Sequence, residues 1–199
     1  MKRIAISGPH SSGKTTLLYG LAHELKKDGV RLEILSEAAR SVSKLGFPLN
    51  LETTFESQLL ILVNMIHEEL IRSNSEVDVL LSDRSVIDQI PYSRLGKLNV
   101  QEFMEIMNIT KSYLKVKPYD LIIRLEGGVA VEDDGVREKD LNYLNLIKEE
   151  FIWIYNNSEF WNGVGPIPCM WIPRYELNDI NRVIDKILDC YIYDYNIIV

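Results

Sequence analysis

The sequence predicts an α/β protein in which one parallel sheet is covered by helices on both faces. Five short apolar runs, each short enough to be a buried strand, alternate with longer segments of helical period. These runs are residues 4–6, 32–35, 77–81, 121–125 and 167–172. The alternation is typical of parallel sheets. A length of 199 residues suits one domain, spanning residues 1–199.

The helical segments are predicted by their apolar spacing and their end signals. Residues 15–27 form the first predicted helix, which ends at Asp28 and Gly29, because glycine adopts the left-handed conformation of a helix C-terminus easily. Apolar residues recur at helical spacing in 51–73 and 138–157, which predicts two long helices. Residues 126–139 have neither period and contain several glycines and a run of acids. They are predicted to form a lid loop over a site.

Composition excludes several classes of protein. With 46% hydrophobic and 26% charged residues, the chain can bury a core and is unlike a disordered protein. No apolar run approaches the roughly 18 residues that cross a bilayer, so no membrane span is predicted. A net charge of −7 disfavours nonspecific binding to nucleic acid, although a local basic pocket for phosphates stays possible.

Three further features complete the organisation of the chain. The N-terminal apolar stretch is interpreted as a strand and not as a signal peptide, so a cytoplasmic protein is expected. Cys169 and Cys190 lack metal-binding spacing and are both predicted to be core residues. The tyrosine-rich residues 191–199 suit an extra strand, a packed extension or an oligomer contact such as a homodimer interface.

A phosphate-binding motif follows the first predicted strand and begins the first helix. It is Gly8-Pro9-His10-Ser11-Ser12-Gly13-Lys14-Thr15, which fits the pattern G-x-x-x-x-G-K-[ST]. The glycines let the backbone wrap so that its amides face phosphate oxygens, and the helix N-terminus favours an anion. Lys14 is predicted to reach the β- and γ-phosphates and Thr15 to ligate magnesium. The other residues predicted to bind the nucleotide around it are Gly8, His10, Ser11, Ser12, Gly13 and Thr16.

A carboxylate and a guanidinium follow the third predicted strand, in Asp83-Arg84-Ser85. If this strand lies beside the first, both groups lie at the carboxyl edge of the sheet near the phosphate loop. Asp83 would then hold the metal or its waters, and Arg84 would bridge donor and acceptor phosphates. A buried structural Asp–Arg pair is the alternative.

These motifs resemble the P-loop nucleoside and nucleotide kinases, including the deoxynucleoside kinases and thymidylate kinases. The matching segments, in order, are residues 8–15, Glu37-Ala38-Ala39-Arg40, Phe55-Glu56-Ser57-Gln58, Asp83-Arg84-Ser85 with Asp88 and Tyr92, and Asp134-Gly135-Val136-Arg137. The nearest subgroup is the NadR-type ribosylnicotinamide kinases with their AAA-like relatives. The resemblance implies a P-loop NTPase fold with a five-stranded parallel sheet in the order 2-3-1-4-5, an ATP donor, Mg²⁺ and a lid.

Several residues receive predicted roles beside that resemblance. Glu37 is either the base that accepts a hydroxyl proton from the acceptor or a charge at a helix N-terminus. Arg40 is predicted to bind an acceptor phosphate or to pair with Glu37. Gln58 is predicted to read a flat ring and Phe55 to stack on it, with a boundary glutamine and a core phenylalanine as the alternatives. The residues predicted to contact the acceptor sugar are Asp88 and Tyr92.

Two more arginines are predicted to act on the nucleotide. Arg137, at the end of the lid, would stabilise charge on the transferred phosphoryl group when the lid closes. Arg174, after the fifth strand, would approach the adenine. The acidic residues 132–134 of the lid argue against a highly charged acceptor monophosphate.

The sequence therefore predicts an ATP- and Mg²⁺-dependent kinase for a small nucleoside-like or nucleotide-like acceptor. The catalytic set is Lys14, Asp83, Arg84, Arg137 and Glu37. A nucleoside hydroxyl suits Glu37 as base, whereas a monophosphate suits Arg40. The alternative is a regulatory ATP- or GTP-binding NTPase with no small-molecule acceptor.

Overall fold

The computed structural model describes residues 1–36, 38–127 and 141–193. Within them, five parallel strands form one sheet in the order β2-β3-β1-β4-β5. The strands are β1 Lys2–Ser7, β2 Leu32–Leu35, β3 Val79–Asp83, β4 Leu121–Leu125 and β5 Cys169–Ile172. The helices are α1 Lys14–Lys27, α2 Ala38–Lys44, α3 Phe55–Arg72, α4 Gln89–Leu95, α5 Val100–Val116, α6 Leu141–Asn156, α7 Ser158–Asn162 and α8 Ile180–Ile187. Short 3₁₀ segments lie at Asn50–Glu52, Val86–Asp88 and Arg174–Asn178, and a π-helical turn at Leu188–Tyr193.

The predicted parallel sheet and its strand order are confirmed. β2 and β4 have the predicted bounds, whereas β3 begins and ends two residues later than predicted. The sheet is buried on both faces because helices cover each face, and neighbouring residues of a strand point to opposite faces. Ile4 and Ile6 pack with α1 and α8 on one face, while Ala5 and Ile122 pack with α3 and α5 on the other.

Helix ends follow the local capping signals. α3 begins at Phe55, later than predicted, because the Thr54 and Ser57 side chains form a capping box there. α5 carries the same signal, in which Asn99 caps the amide of Glu102 and the Glu102 carboxylate accepts the amide of Asn99. That pair, together with the helical spacing of Ile106, Thr110 and Leu114, was present in the sequence and would have located α5, which was not among the predicted helices.

The prediction that both cysteines belong to the core is wrong. Cys169 and Cys190 are both exposed, free thiols. β5 is an edge strand with alternating exposure, so Cys169 and Trp171 are exposed while Met170 and Ile172 are buried. None of the helices in the described part of the chain is long and apolar enough to cross a membrane.

A buried ion pair joins the start of β1 to α3. The Arg3 guanidinium donates to the Glu69 carboxylate, and both residues are buried. The hydroxyls of Tyr113 and Tyr119 donate to the same carboxylate at 2.6 and 2.7 Å. Burial alone would lower the pKa of Arg3, but Glu69 and the two tyrosines raise it above its ordinary value. The backbone amide of Val86 donates to the Tyr119 hydroxyl, which extends this network towards the site.

Candidate functional site

The loop between β1 and α1 has the backbone that a phosphate cradle needs. Gly8, Ser11 and Gly13 have φ angles of 147°, 58° and 86°. These angles favour glycine, and a Cβ at Gly8 would also lie only 2.7 Å from the carbonyl oxygen of Leu125. No side chain caps the N-terminus of α1 within the described structure. The first amides of the helix are thus left to an anion.

Lys14 is buried at the first position of α1, with only 5% of its surface exposed. Its Nζ donates to the Pro9 carbonyl at 2.5 Å and to Ser12 Oγ at 3.1 Å. The ammonium therefore lies over the loop that precedes it. This arrangement can supply a positive charge to a phosphate seated in the loop.

Thr15 and Asp83 come together at the carboxyl edge of the sheet. β1 and β3 are neighbours, and Ile6 is in register with Asp83. The Thr15 hydroxyl donates to Asp83 Oδ2 at 2.7 Å. Hydroxyl and carboxylate oxygens are the ligands that Mg²⁺ prefers, and phosphate oxygens and waters complete such sites. No cluster of three or more His, Cys, Asp or Glu side chains that could hold a metal occurs among the described residues.

Arg84 follows Asp83 with a strained backbone. Its φ angle is 96°, which is uncommon for a residue with a Cβ, and its amide donates to the Ile6 carbonyl at 3.0 Å. The guanidinium donates to the Tyr92 hydroxyl at 3.2 Å. Burial alone would lower its pKa, but Tyr92, Asp88 and Asp83 raise it above the ordinary value. Arg84 is therefore charged at neutral pH.

Asp88 is fully buried beneath the loop. Its carboxylate accepts from the hydroxyls of Ser7 and Ser85, both at 2.6 Å, and from the Gly8 amide at 3.3 Å. Arg84 Nη1 lies 3.7 Å from Asp88 Oδ2. Burial raises the pKa of Asp88, and Arg84 and the two serine hydroxyls oppose that rise.

A cleft of about 900 Å³ opens beside the loop. It lies between the loop, α2, α3 and the carboxyl ends of β2 and β3. Residues predicted for the site that line it are His10, Ser11, Ser12, Gly13, Lys14, Thr15, Thr16, Arg40, Gln58, Asp83, Arg84 and Tyr92. The cleft is large enough for a small molecule beside the phosphate loop.

Comparison with known proteins agrees with this geometry. The model of a family described as an AAA domain matches residues 3–161. The chain belongs to this AAA domain family. A search of curated proteins finds no match to it.

Two solved structures share the fold of this AAA domain. One is a NadR protein in complex with NR, with a TM-score of 0.70 and 17% identity over 96% of this chain and 51% of that one. The other is a NadR protein in complex with NAD and AMP-PNP, with a TM-score of 0.67 and 16% identity over 96% and 49%. This chain thus spans about half the length of those proteins. The likeness shows the P-loop NTPase fold.

The remaining predicted residues of the AAA domain lie in different places. Phe55 packs against the core formed with α3 and does not line the cleft. Arg174 lines a separate cavity of about 110 Å³ with Pro9, Ser11 and Lys148. Glu37 and Arg137, together with most of the predicted lid, lie outside the described residues.

Two buried amides line the cleft of the AAA domain. Gln58, which is 2% exposed, donates from Nε2 to Thr53 Oγ1 at 2.8 Å, and its Oε1 has no partner in the described structure. Gln89 donates from Nε2 to Met65 Sδ at 3.3 Å. Sequence reasoning found Gln58 but missed Gln89. The signal for Gln89 was an amide with the apolar residues Val86, Ile87 and Ile90 close to it in sequence.

The conformation of Gly8 supports a first prediction for this AAA domain. Gly8→Ala is expected to lower the free energy of unfolding by about 1–3 kcal/mol, because the new Cβ meets backbone and the φ angle is unfavourable. Urea denaturation measures this change. Gly163→Ala is the control, since a Cβ there meets nothing closer than 3.5 Å. Equal changes in both variants would show that the Gly8 backbone is not constrained.

Proposed function

We propose that this AAA domain is an ATP- and Mg²⁺-dependent phosphotransferase that acts on a small nucleoside-like or nucleotide-like acceptor. The observation that carries the proposal is the cleft, in which Lys14, Arg84 and the buried amide of Gln58 line one continuous space. A donor phosphate in the loop and an acceptor in the cleft would then be adjacent. Such proximity supplies much of the catalysis of phosphoryl transfer.

The chain's own cations and oxygens fit the donor end of this reaction. Lys14 binds the β- and γ-phosphate oxygens, and Arg84 neutralises charge on the phosphoryl group as it moves to the acceptor. The oxygens of Thr15 and Asp83 fit a magnesium ion, which when bound neutralises and orients the phosphates. Arg174 borders the adenine of the donor, and Arg137 adds a charge when the lid closes.

We assign the acceptor end to Arg40 on α2, Gln58 on α3 and Glu37, which lies outside the described residues. Glu37 accepts the proton of the acceptor hydroxyl, and Arg40 contacts an acceptor phosphate if one is present. Gln58 Oε1 accepts a hydrogen bond from a ring or amide N–H, because a buried acceptor without a partner is costly. That two proteins of this fold carry NR or NAD in their structures supports a nucleoside-like acceptor.

The decisive assay is ADP release with Mg²⁺ and ATP across nucleosides, ribosylnicotinamide and nucleoside monophosphates. Acceptor-dependent release establishes the kinase and names its acceptor. Slow release that no acceptor increases favours the second candidate, a regulatory NTPase. That candidate is supported by the AAA domain match, which specifies no acceptor.

Glu37→Gln separates the two kinds of acceptor. With a hydroxyl acceptor, kcat is expected to fall by a factor of roughly 10² to 10⁴, because the amide cannot take the proton. The control is Glu105→Gln on the exposed face of α5, which should leave kcat unchanged. An unchanged kcat in Glu37→Gln would remove this residue as the base and favour a monophosphate acceptor.

A further inference from the structure

We infer that Asp88 and Tyr92 are positioning residues that hold the Arg84 guanidinium against the phosphate loop, and that Asp88 is not a ligand of the acceptor sugar. This inference rests on the proposed function of the cleft. It reassigns two residues for which the sequence predicted a sugar contact.

The first observation is the location of the Asp88 carboxylate. The residue has no exposed surface and does not line the cleft. Its oxygens accept four hydrogen bonds: two from hydroxyls, those of Ser7 and Ser85, and two from amides, those of Gly8 and Ser85. An acceptor sugar would have to displace these donors to reach it. The carboxylate is instead fixed at the junction of β1 and the loop.

The second observation is that one oxygen of Asp88 and the hydroxyl of Tyr92 each contact both Arg84 and an amide of the phosphate loop. Asp88 Oδ2, which accepts the Gly8 amide, lies 3.7 Å from Arg84 Nη1. The Tyr92 hydroxyl accepts both the His10 amide at 3.1 Å and Arg84 Nη1 at 3.2 Å. The Tyr92 ring is also 5.2 Å from the guanidinium carbon. Each group therefore links Arg84 to a backbone amide of the phosphate loop.

The third observation is the backbone of Arg84. A φ angle of 96° is strained for arginine and persists only where neighbouring contacts determine it. The side chain is three-quarters buried, so its direction is set by these contacts and not by solvent. Holding a catalytic cation in place before the reaction reduces the reorganisation needed in the transition state.

A hydroxyl from α6 supports the same junction. Tyr155 OH donates to Ser7 Oγ at 2.7 Å, and Ser7 Oγ in turn donates to Asp88. The ring of Phe151, also on α6, packs edge-on against Tyr92 at 6.0 Å. α6 thus contacts Tyr92 directly through Phe151, and it contacts Ser7, a hydrogen-bond donor to Asp88, through Tyr155.

The variants Asp88→Asn and Tyr92→Phe test the inference through two readouts. Each substitution is made alone and in combination with Arg84→Ala. The first readout is the dissociation constant of a non-hydrolysable ATP analogue with Mg²⁺, measured by calorimetry. Each variant is expected to weaken binding by roughly 10-fold to 100-fold when Arg84 is present. With alanine at position 84, the further loss should be less than about twofold. Equal losses in both backgrounds would overturn the inference.

The second readout is the steady-state kinetics of transfer. Both variants should lower kcat and leave the KM of the acceptor unchanged, whereas a raised KM at constant kcat would make them acceptor ligands and overturn the inference. Asp185→Asn, on the exposed face of α8, is the matched control. If the unsubstituted protein transfers phosphate to no acceptor, the proposed function fails while the binding cycle still decides the positioning roles. If it binds no nucleotide, both fail.

Discussion

Lys14→Met is expected to reduce acceptor-dependent ADP release by a factor of about 10³, because the phosphoryl group then loses a buried positive charge. The side chain is 5% exposed and lies over the phosphate loop. Its Nζ donates to the Pro9 carbonyl oxygen and to Ser12 Oγ instead of to water. In such a site a charge acts more strongly than it does in solution. Methionine keeps the length of the side chain, so the helix and its core contacts should persist. A coupled assay of ADP release measures the effect.

The control is Lys115→Met, which removes an exposed lysine of α5 and should leave the rate unchanged. The free energy of unfolding of both variants shows whether the fold is retained. A folded Lys14→Met protein with normal turnover would exclude the phosphate loop from the reaction, and with it the proposed kinase.

Arg3→Met is expected to lower the free energy of unfolding by about 3–5 kcal/mol, because it leaves the buried Glu69 carboxylate without its cation. Glu69 is 2% exposed, and the hydroxyls of Tyr113 and Tyr119 cannot neutralise its charge. Chemical denaturation at neutral pH measures the change. The control is Arg182→Met on α8, which is exposed and should change stability by no more than about 0.5 kcal/mol.

A second variant separates the unpaired charge from lost packing. In Arg3→Met combined with Glu69→Gln, the glutamine carries no charge and its oxygen still accepts from the tyrosines. The double variant should therefore be more stable than Arg3→Met alone. If it is no more stable than Arg3→Met, the unpaired charge is not the cause of the loss, and the lost packing of the arginine over the Tyr113 and Tyr119 rings, at 5.3 and 4.7 Å, accounts for it.

Much of the sheet could be predicted from the sequence because parallel strands buried on both faces are continuous apolar runs. β2 and β4 have the predicted bounds for this reason. β3 begins two residues late because the first residues of its apolar run, Val77 and Asp78, precede the paired region, where Val79 is in register with Lys2. α5 was missed although its sequence carries both helix signals, a capping box at Asn99 and the buried residues Ile106 and Leu114 at helical spacing.

The core prediction for Cys169 shows a limit of composition. Cysteine is usually buried, so its type favours the core. Exposure of a side chain in this edge strand depends instead on which face of the strand other elements cover. Cys169 lies on the face that is exposed to solvent. Only the arrangement of neighbouring elements decides that.

The sequence by itself determined the phosphate loop. Its glycines and its Lys14-Thr15 pair are contiguous, and local backbone geometry together with the helix N-terminus is enough to form the cradle. It also determined that Asp83 would follow a buried strand, but the 2.7 Å contact of Asp83 with Thr15 required β3 to pair with β1.

The tertiary structure alone decided the partners of the buried polar groups. Two of the residues that donate to Asp88, Ser7 and Gly8, are 81 and 80 positions away, and those that donate to Glu69 are 44 to 66 positions away. A single sequence places such side chains on an element but does not specify which distant donor meets them. Burial makes that pairing obligatory, because an unpaired carboxylate in the core costs far more than one in water. The packing of the whole domain selects the donor.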